Sequence, residues 1–257
     1  NNTVMLRQKR IIKMSISIAI IYPEILGTYG DRGNALSLAY RAKQRGIDCE
    51  IINVMADDSL PQSCDIYMLG GGEDNAQTLA TSLLEKQRVT LDNIVDNSII
   101  LAICAGFQIL GKQFPTTGGK LNNGLDIIDV TTKRGTPRII GEVTSQCQIP
   151  GIGRLSGFEN HGGRTILGPN VTPLGKVHIG NGNGIGYNRD SNTSEITYVD
   201  GYFSKNIIAS YMHGPLLARN PKLCDYLISK ITGIETLSTI NDDTADFLHR
   251  DRLKTVK

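Results

Sequence analysis

Short, almost wholly apolar runs alternate with helix-like stretches through the first half of the chain. Runs of this length that carry few polar side chains are typical of strands buried on both faces of a sheet. Four runs fit this pattern: residues 16–22, 47–54, 65–69 and 98–103. Apolar side chains at helical spacing predict helices over residues 34–45 and 75–97. The alternation predicts an α/β fold in which a mostly parallel sheet is flanked by helices.

The pattern changes after Gly118, where glycine-rich turns become frequent. Extra short strands are predicted over residues 125–132 and 138–144, and residues 180–186 are predicted to form a loop. Residues 206–211 return to a buried-strand pattern. The second half therefore adds extra short strands to the fold, together with one more strand of the buried type.

A helix is predicted over residues 220–232, because asparagine and proline stand at its start and glycine follows its end. No internal repeat or hinge divides the chain, so residues 15–235 are predicted to form one domain. Residues 1–14 are interpreted as a disordered extension, and residues 236–257 as a polar C-terminal tail that is loose or bound to a partner.

Composition and charge exclude several classes of protein. The chain has 257 residues, of which 40% are hydrophobic and 20% charged, a balance typical of a globular protein. Its net charge of +2 includes four basic residues near the N-terminus, so the remainder is near neutral and no basic face predicts nucleic-acid binding. No apolar run is long enough for a membrane span. The five scattered cysteines lack metal-binding spacing, which predicts a reduced, cytoplasmic protein without a metal site.

The strongest local signal for chemistry is Cys104, which directly follows a predicted buried strand and precedes a short helix. Small residues stand two positions before it, at Ala102, and two positions after it, at Gly106. This is the nucleophile-elbow pattern with sulfur in place of oxygen. The alternative interpretation is an inert cysteine in an apolar run, and the local string leaves both open.

A thiol nucleophile needs a base, and His213 is the best-placed histidine. It follows a predicted strand, and the carboxyl ends of parallel strands lie on one edge of a sheet, so Cys104 and His213 can meet although 109 residues separate them. Considered alone, His213 fits a structural loop residue better, but its pairing with a cysteine in an elbow favours the role of base. His161 lies in a predicted glycine-rich loop and is given a structural or substrate-orienting role.

Acyl transfer also needs donors for the developing oxyanion. Gly71 and Gly72 belong to a glycine triplet after a buried strand, where backbone N–H groups can approach a ligand closely. The N–H of Ala105, just after the candidate nucleophile, would be the second donor. A glycine triplet is also typical of ordinary turns.

Together these features resemble the class I glutamine amidotransferases, which have a flavodoxin-like fold. The motif His213-Gly-Pro lacks the acid that commonly stands two residues after the histidine, and this resembles the cobyric-acid-synthase-like branch with its Cys–His dyad. Within that branch, residues 16–230 resemble the GatD family, although Glu73 stands where that family often has glutamine. Six motifs carry the resemblance: Tyr29-Gly-Asp-Arg-Gly-Asn34, Gly70-Gly-Gly-Glu-Asp-Asn-Ala-Gln77, Ile103-Cys-Ala-Gly-Phe-Gln-Ile-Leu-Gly111, Gly157-Phe-Glu-Asn-His-Gly-Gly-Arg-Thr165, Gly180-Asn-Gly-Asn183 and Met212-His-Gly-Pro-Leu-Leu-Ala-Arg-Asn220.

The resemblance implies a glutaminase subunit of lipid II isoglutaminyl synthase, which acts in peptidoglycan synthesis. Such a chain hydrolyses L-glutamine and supplies ammonia to a Mur-ligase-like MurT subunit in a heterodimer. The partner would use ATP and Mg²⁺ to activate the α-carboxylate of D-glutamate in lipid II. No cofactor is expected in this chain, which lacks the phosphate-binding motif G-x-x-x-x-G-K-[ST].

The resemblance also implies the residues of the site. Cys104 and His213 would be catalytic, Arg138 would bind the α-carboxylate of glutamine, and Gln108 would contact the substrate together with Gly71, Gly72 and Ala105. The group that orients His213 stays open between a backbone carbonyl and a carboxylate such as Glu159.

Two alternative functions remain at this point. One is an amidotransferase that serves another acceptor, such as a corrinoid side chain. The other is a scaffold that keeps the fold and only binds a partner. An acceptor assay distinguishes the first, and selective labelling of Cys104 by a glutamine-analogue electrophile distinguishes the second.

Overall fold

The computed structural model describes residues 12–187 and 196–255. Its strands are β1 (Ser15–Ile21), β2 (Asp48–Val54), β3 (Ile66–Leu69), β4 (Ile99–Ile103), β5 (Gln113–Pro115), β6 (Leu121–Asn123), β7 (Val130–Cys147), β8 (Arg154–Leu167), β9 (Gly175–Ile179), β10 (Gly186–Tyr187), β11 (Thr197–Asp200), β12 (Tyr202–Phe203) and β13 (Ile207–Ser210). Its helices are α1 (Gly33–Lys43), α2 (Asp74–Glu85), α3 (Arg88–Asn97), α4 (Ala105–Leu110), α5 (Leu216–Arg219), α6 (Pro221–Thr232) and α7 (Asp243–Thr255).

The predicted parallel sheet is confirmed. Six strands lie in the order β12-β13-β4-β3-β1-β2, and all neighbouring pairs are parallel except β12 with β13. Helices pack against it, as an α/β fold requires, and the strands β3, β4 and β13 are buried throughout. The carboxyl ends of β1, β3, β4 and β13 consequently lie along one edge.

The strands β5 to β11 form a second, seven-stranded sheet. Its two central strands are β7, with 18 residues, and β8, with 14 residues, which pair antiparallel. Residues 130–132 and 138–144, predicted as parts of two separate short strands, lie in the single strand β7. The prediction of extra short strands is confirmed by β5, β6, β9, β10 and β11, which have two to five residues each. Along β8, alternate residues from Leu155 to Leu167 are buried and most of those between are more exposed, which is the period expected of a strand with one covered face.

The two sheets are joined at the residue that the sequence identified as the candidate base. Phe158 of β8 and His213 form an antiparallel bridge, with N···O distances of 2.9 and 3.0 Å. The backbone of His213 is therefore fixed between the end of β13 and the middle of β8.

The chain ends differ in part from the predictions. Residues 1–11 of the predicted disordered extension lie outside the described residues, whereas Lys13 binds Asp65 through its ammonium group. The predicted loose tail contains α7, which packs against α5 and β8. His249 of α7 lies 2.8 Å from the Arg219 carbonyl through Nδ1, and so contacts the segment that follows His213.

Other local predictions are corrected or confirmed. The helix predicted over residues 75–97 is two helices, α2 and α3, whereas the predicted end of α6 is confirmed by the left-handed backbone of Gly233 at φ 76°. Within residues 12–187 and 196–255, no helix is long and apolar enough to cross a membrane.

Candidate active site

Cys104 lies on a sharp turn between β4 and α4. Its backbone has φ 53° and ψ −102°, a conformation that residues other than glycine rarely adopt. Its N–H donates to the Ser210 carbonyl at 2.9 Å, which ties the turn to the neighbouring strand β13. A Cβ at Gly106 would lie 2.7 Å from Leu69 Cβ and 2.8 Å from the Leu69 carbonyl oxygen, so this position has no room for a side chain. The small residue in the elbow pattern is thus required by packing.

His213 lies on the same edge of the sheet, because β13 is the parallel neighbour of β4. The imidazole is buried and lies beside the ring of Tyr29, with centroids 4.4 Å apart. Its Nδ1 lies 3.2 Å from Oδ1 of Asp31. Its Nε2 has no hydrogen-bond partner among the described residues, which leaves this nitrogen for proton exchange.

The surroundings of His213 favour its protonated form. Burial by itself lowers the pKa of His213, but the hydrogen bond to Asp31, the interaction with Cys104 and the negative charges of both outweigh it and raise the pKa to about 10. An imidazolium beside a cysteine stabilises the thiolate, which is the nucleophilic form of sulfur.

Asp31 also holds the glycine loop that follows β3. Its Oδ2 accepts a hydrogen bond from the Gly71 N–H at 2.8 Å. The assignment of Gly71 as an oxyanion donor is therefore corrected, because that N–H is already engaged. The N–H of Gly72 has no partner among the described residues, and the N–H of Ala105 has none within α4, since Ala105 is its first residue.

Gly71 is further constrained by the side chains around it. A Cβ there would lie 2.8 Å from His213 Cε1 and 2.9 Å from Tyr29 Cδ2. Only glycine lets the loop, the histidine and the tyrosine pack this closely.

Arg138 lies at the opening of the cleft that contains Cys104. Its Nε donates to Asn160 Oδ1 at 2.7 Å, and its Nη2 donates to the Tyr29 hydroxyl and the Asn160 carbonyl at 3.1 Å each. Its Nη1 has no partner among the described residues, so the held guanidinium presents free donors for a carboxylate. Gln108 also lines the cleft, but its amide bonds Gln77 and the Tyr211 hydroxyl, which makes it part of the wall.

Glu159 and His161 lie elsewhere than the sequence suggested. Glu159 is buried and accepts hydrogen bonds from the backbone of Asn181 and Gly182, so it holds the loop at residues 180–183 and does not orient His213. His161 belongs to β8 and not to a loop, and it lines the cleft with Cys104 and Arg138.

Asp31 is the residue that sequence reasoning missed. It lies within the quoted motif Tyr29-Gly-Asp-Arg-Gly-Asn34, in the loop after β1. Since β1 and β3 are parallel neighbours, their carboxyl ends had to meet. The sequence signal that could have identified Asp31 was therefore a carboxylate in the loop after a central strand.

Comparisons with known proteins point the same way as this geometry. A model of the CobB/CobQ-like glutamine amidotransferase domain matches residues 17–221. The glutamine-hydrolysing lipid II isoglutaminyl synthase subunit GatD of Staphylococcus aureus (strain N315) is 36% identical over 207 residues, which cover 80% of this chain and 79% of that protein. The GatD subunit of Streptococcus pneumoniae (strain ATCC BAA-255 / R6) is 35% identical over 83% of this chain and 79% of that protein.

More distant relatives share the domain but not the length. A probable cobyric acid synthase of Methanococcus maripaludis is 30% identical over 70% of this chain, which corresponds to only 36% of that protein. A solved structure of a glutamine amidotransferase covers 84% of this chain and 99% of that one with a TM-score of 0.54 and 16% identity, which shows a shared fold.

Proposed function

Because the chain belongs to the GatD family of CobB/CobQ-like glutamine amidotransferases, we propose that it is the glutaminase subunit of a lipid II isoglutaminyl synthase. It hydrolyses L-glutamine to L-glutamate and ammonia at Cys104. The observation that carries this proposal is the convergence of Cys104, His213 and Asp31 at one sheet edge. Beside them lie the N–H groups of Gly72 and Ala105, which have no partner in the part of the chain that the structure describes.

The proposed reaction begins with the Cys104 thiolate and the His213 imidazolium. The thiolate attacks the δ-carbonyl carbon of glutamine, and the oxyanion that forms accepts hydrogen bonds from the N–H groups of Gly72 and Ala105. His213 donates its Nε2 proton to the departing nitrogen, so that ammonia leaves and a γ-glutamyl thioester remains.

Hydrolysis of the thioester uses the same groups in reverse. Neutral His213 takes a proton from water, and the hydroxide attacks the thioester carbonyl. The second oxyanion collapses, the C–S bond breaks and the Cys104 thiolate leaves opposite His213. Asp31 stabilises the imidazolium and fixes its tautomer through Nδ1, the role an acid plays in a nucleophile–histidine–acid triad.

The ammonia serves a ligase on another chain. We propose a MurT-type, Mur-ligase-like subunit that holds ATP and Mg²⁺ and activates the α-carboxylate of D-glutamate in lipid II. Both relatives named GatD are described as subunits of a glutamine-hydrolysing lipid II isoglutaminyl synthase, which favours this acceptor over a corrinoid.

Replacement of the nucleophile tests the reaction. Cys104→Ala is expected to abolish ammonia release from glutamine while the thermal unfolding curve stays that of a folded protein. Cys49→Ala is the matched control, because Cys49 lies on β2 at the far edge of the sheet and burial raises its pKa to about 11, which keeps it a thiol. A glutamine-analogue electrophile should label the wild type and Cys49→Ala once, and Cys104→Ala not at all. Ammonia release by Cys104→Ala at the wild-type rate would refute the assignment.

Co-purification tests the partner. The chain expressed with a Mur-ligase-like subunit should form a complex that amidates lipid II with glutamine as nitrogen donor. The Cys104→Ala complex should still amidate lipid II when ammonia is supplied. Failure of the wild-type complex with both nitrogen sources would contradict the proposed acceptor.

A further inference from the structure

His161 is a buried histidine that the proposed reaction does not use. It is 2% exposed on β8, and its ring stacks on Tyr211 with centroids 3.8 Å apart and an interplanar angle of 19°. Its Nδ1 lies 3.0 Å from the Gly163 carbonyl oxygen, whereas its Nε2 has no hydrogen-bond partner among the described residues. The ring is thus held firmly while one of its polar atoms is unsatisfied.

The contacts of the ring define its protonation. A carbonyl oxygen only accepts hydrogen bonds, so Nδ1 carries the proton and Nε2 presents a lone pair. Burial lowers the pKa of His161, and the contact with the Gly163 carbonyl raises it only in part. The charges of Arg164, His213 and Arg138 lower the pKa further, to about 3. His161 is therefore a neutral hydrogen-bond acceptor at all physiological pH values.

An unsatisfied buried acceptor destabilises a folded protein, so it calls for a physical explanation. A ligand that donates a hydrogen bond in the cleft would provide one. His161 lines the same cleft as Cys104, and its place on β8 is opposite Ile139, next to Arg138 on β7. The preceding residue, Asn160, holds the Arg138 guanidinium.

This position is the end of the cleft where Arg138 would bind the α-carboxylate of glutamine. In an α-amino acid the ammonium group is bonded to the same carbon as the carboxylate. We propose that His161 Nε2 accepts a hydrogen bond from the α-ammonium group of L-glutamine and so selects α-amino acids as substrates. This inference rests on the proposed glutaminase function.

Glu73 is the competing acceptor in the cleft, because it is an exposed carboxylate with no partner among the described residues. Two physical arguments favour His161. A hydrogen bond to a buried group is less weakened by water than one to an exposed group. A neutral acceptor also adds no negative charge near the Cys104 thiolate, which a carboxylate would destabilise.

A pair of substrates tests the inference. Glutaramate is glutamine without the α-ammonium group. The kcat/KM for each compound is measured by ammonia release. The inhibition constant of glutaramate against glutamine is a second readout. The wild type should prefer glutamine by at least about 10-fold. His161→Asn keeps an N–H donor for the Gly163 carbonyl but has no acceptor at the position of Nε2. It should lower kcat/KM for glutamine about 10- to 150-fold, the range for one hydrogen bond to a charged group. The kcat/KM for glutaramate should change less than about 3-fold.

Two further variants keep the test decisive. His161→Gln can present its amide oxygen near the position of Nε2 and should restore part of the preference for glutamine. Glu73→Gln should leave the preference unchanged. Loss of the preference in Glu73→Gln, an equal fall for both substrates in His161→Asn, or a wild type without any preference would each overturn the inference. A wild type without glutaminase activity would instead overturn the proposed function.

Discussion

Replacement of Asp31 by asparagine is the sharpest test of how the candidate site is assembled. The two side chains have the same shape, but an amide has one acceptor oxygen where the carboxylate has two. Asp31 uses Oδ1 toward His213 Nδ1 at 3.2 Å and Oδ2 toward the Gly71 N–H at 2.8 Å. In Asp31→Asn one of these partners must face an NH₂ group. If that partner is His213, the neutral ring places its proton on Nε2 and cannot take one from Cys104.

The size of the effect follows from these contacts. One hydrogen bond between charged groups is worth about 1.5–3 kcal/mol, which corresponds to a fall in kcat/KM of roughly 10- to 150-fold. The wrong tautomer adds to this, and the equivalent change in serine proteases lowers kcat by about 10⁴-fold. We therefore expect Asp31→Asn to lower kcat/KM for glutamine by about 10²- to 10⁴-fold with little change in KM.

The pH dependence separates this mechanism from simple misfolding. The pKa of His213 is raised from 6.5 to about 10, in part by Asp31, so removal of the Asp31 charge lowers it. The alkaline limb of kcat/KM reports loss of the imidazolium and should move to lower pH in Asp31→Asn. The ionisation of His213 also contributes to the free energy of unfolding. This contribution is complete below pH 6.5 and is lost as the pH rises toward 10, because the folded state holds the proton more tightly than the unfolded state.

Glu159→Gln is the matched control, because Glu159 is a buried acid on the strand that bridges to His213. Among the described residues, its carboxylate accepts hydrogen bonds from Asn181 and Gly182 and none from His213. The substitution should lower the melting temperature without moving the alkaline limb. If Glu159→Gln shifts the limb and Asp31→Asn does not, the assignment of Asp31 to His213 is wrong.

Two further substitutions test the glycine loop and the opening of the cleft. Gly71→Ala places a Cβ 2.8 Å from His213 Cε1 and should lower kcat at least about 10-fold, whereas Gly118→Ala, whose Cβ meets no heavy atom within 4 Å, should not. Arg138→Lys keeps the charge but loses the forked guanidinium group that Asn160 and the Tyr29 hydroxyl hold. The KM for glutamine should therefore rise about 10- to 100-fold, with a smaller change in kcat. An unchanged KM would contradict this role.

The central sheet and the sheet edge shared by Cys104 and His213 could be predicted because both depend on local patterns. Apolar runs mark the strands, and parallel strands carry their following loops to one edge. The elbow at Cys104 is likewise local, since Gly106 is required by the contact with Leu69. Once β4 and β13 are parallel neighbours, the residues that follow them, Cys104 and His213, lie on the same edge of the sheet.

The second sheet and Asp31 could not be predicted in this way, because they depend on pairings between distant residues. The alternation along β8 is masked by its glycines at residues 157, 162 and 163, so the segment resembled a loop. Asp31 and His213 are 182 residues apart, and no sequence feature shows which loop carboxylate reaches the imidazole. The helix α7 has a largely polar sequence and no buried residue, so it lacks the apolar periodicity by which helices are recognised.

The position of His213 couples the two sheets into one reacting unit. Its side chain is oriented by Asp31 from the loop after β1, and its backbone is bridged to Phe158 of β8. The same strand β8 carries Asn160, which holds Arg138, and His161. A displacement of β8 is therefore expected to disturb the proposed base and the proposed substrate contacts together, relative to Cys104 in the other sheet. Hydrolysis then depends on the docking of the two sheets as well as on the individual side chains, and disruption of the Phe158 bridge should lower kcat and raise KM at once.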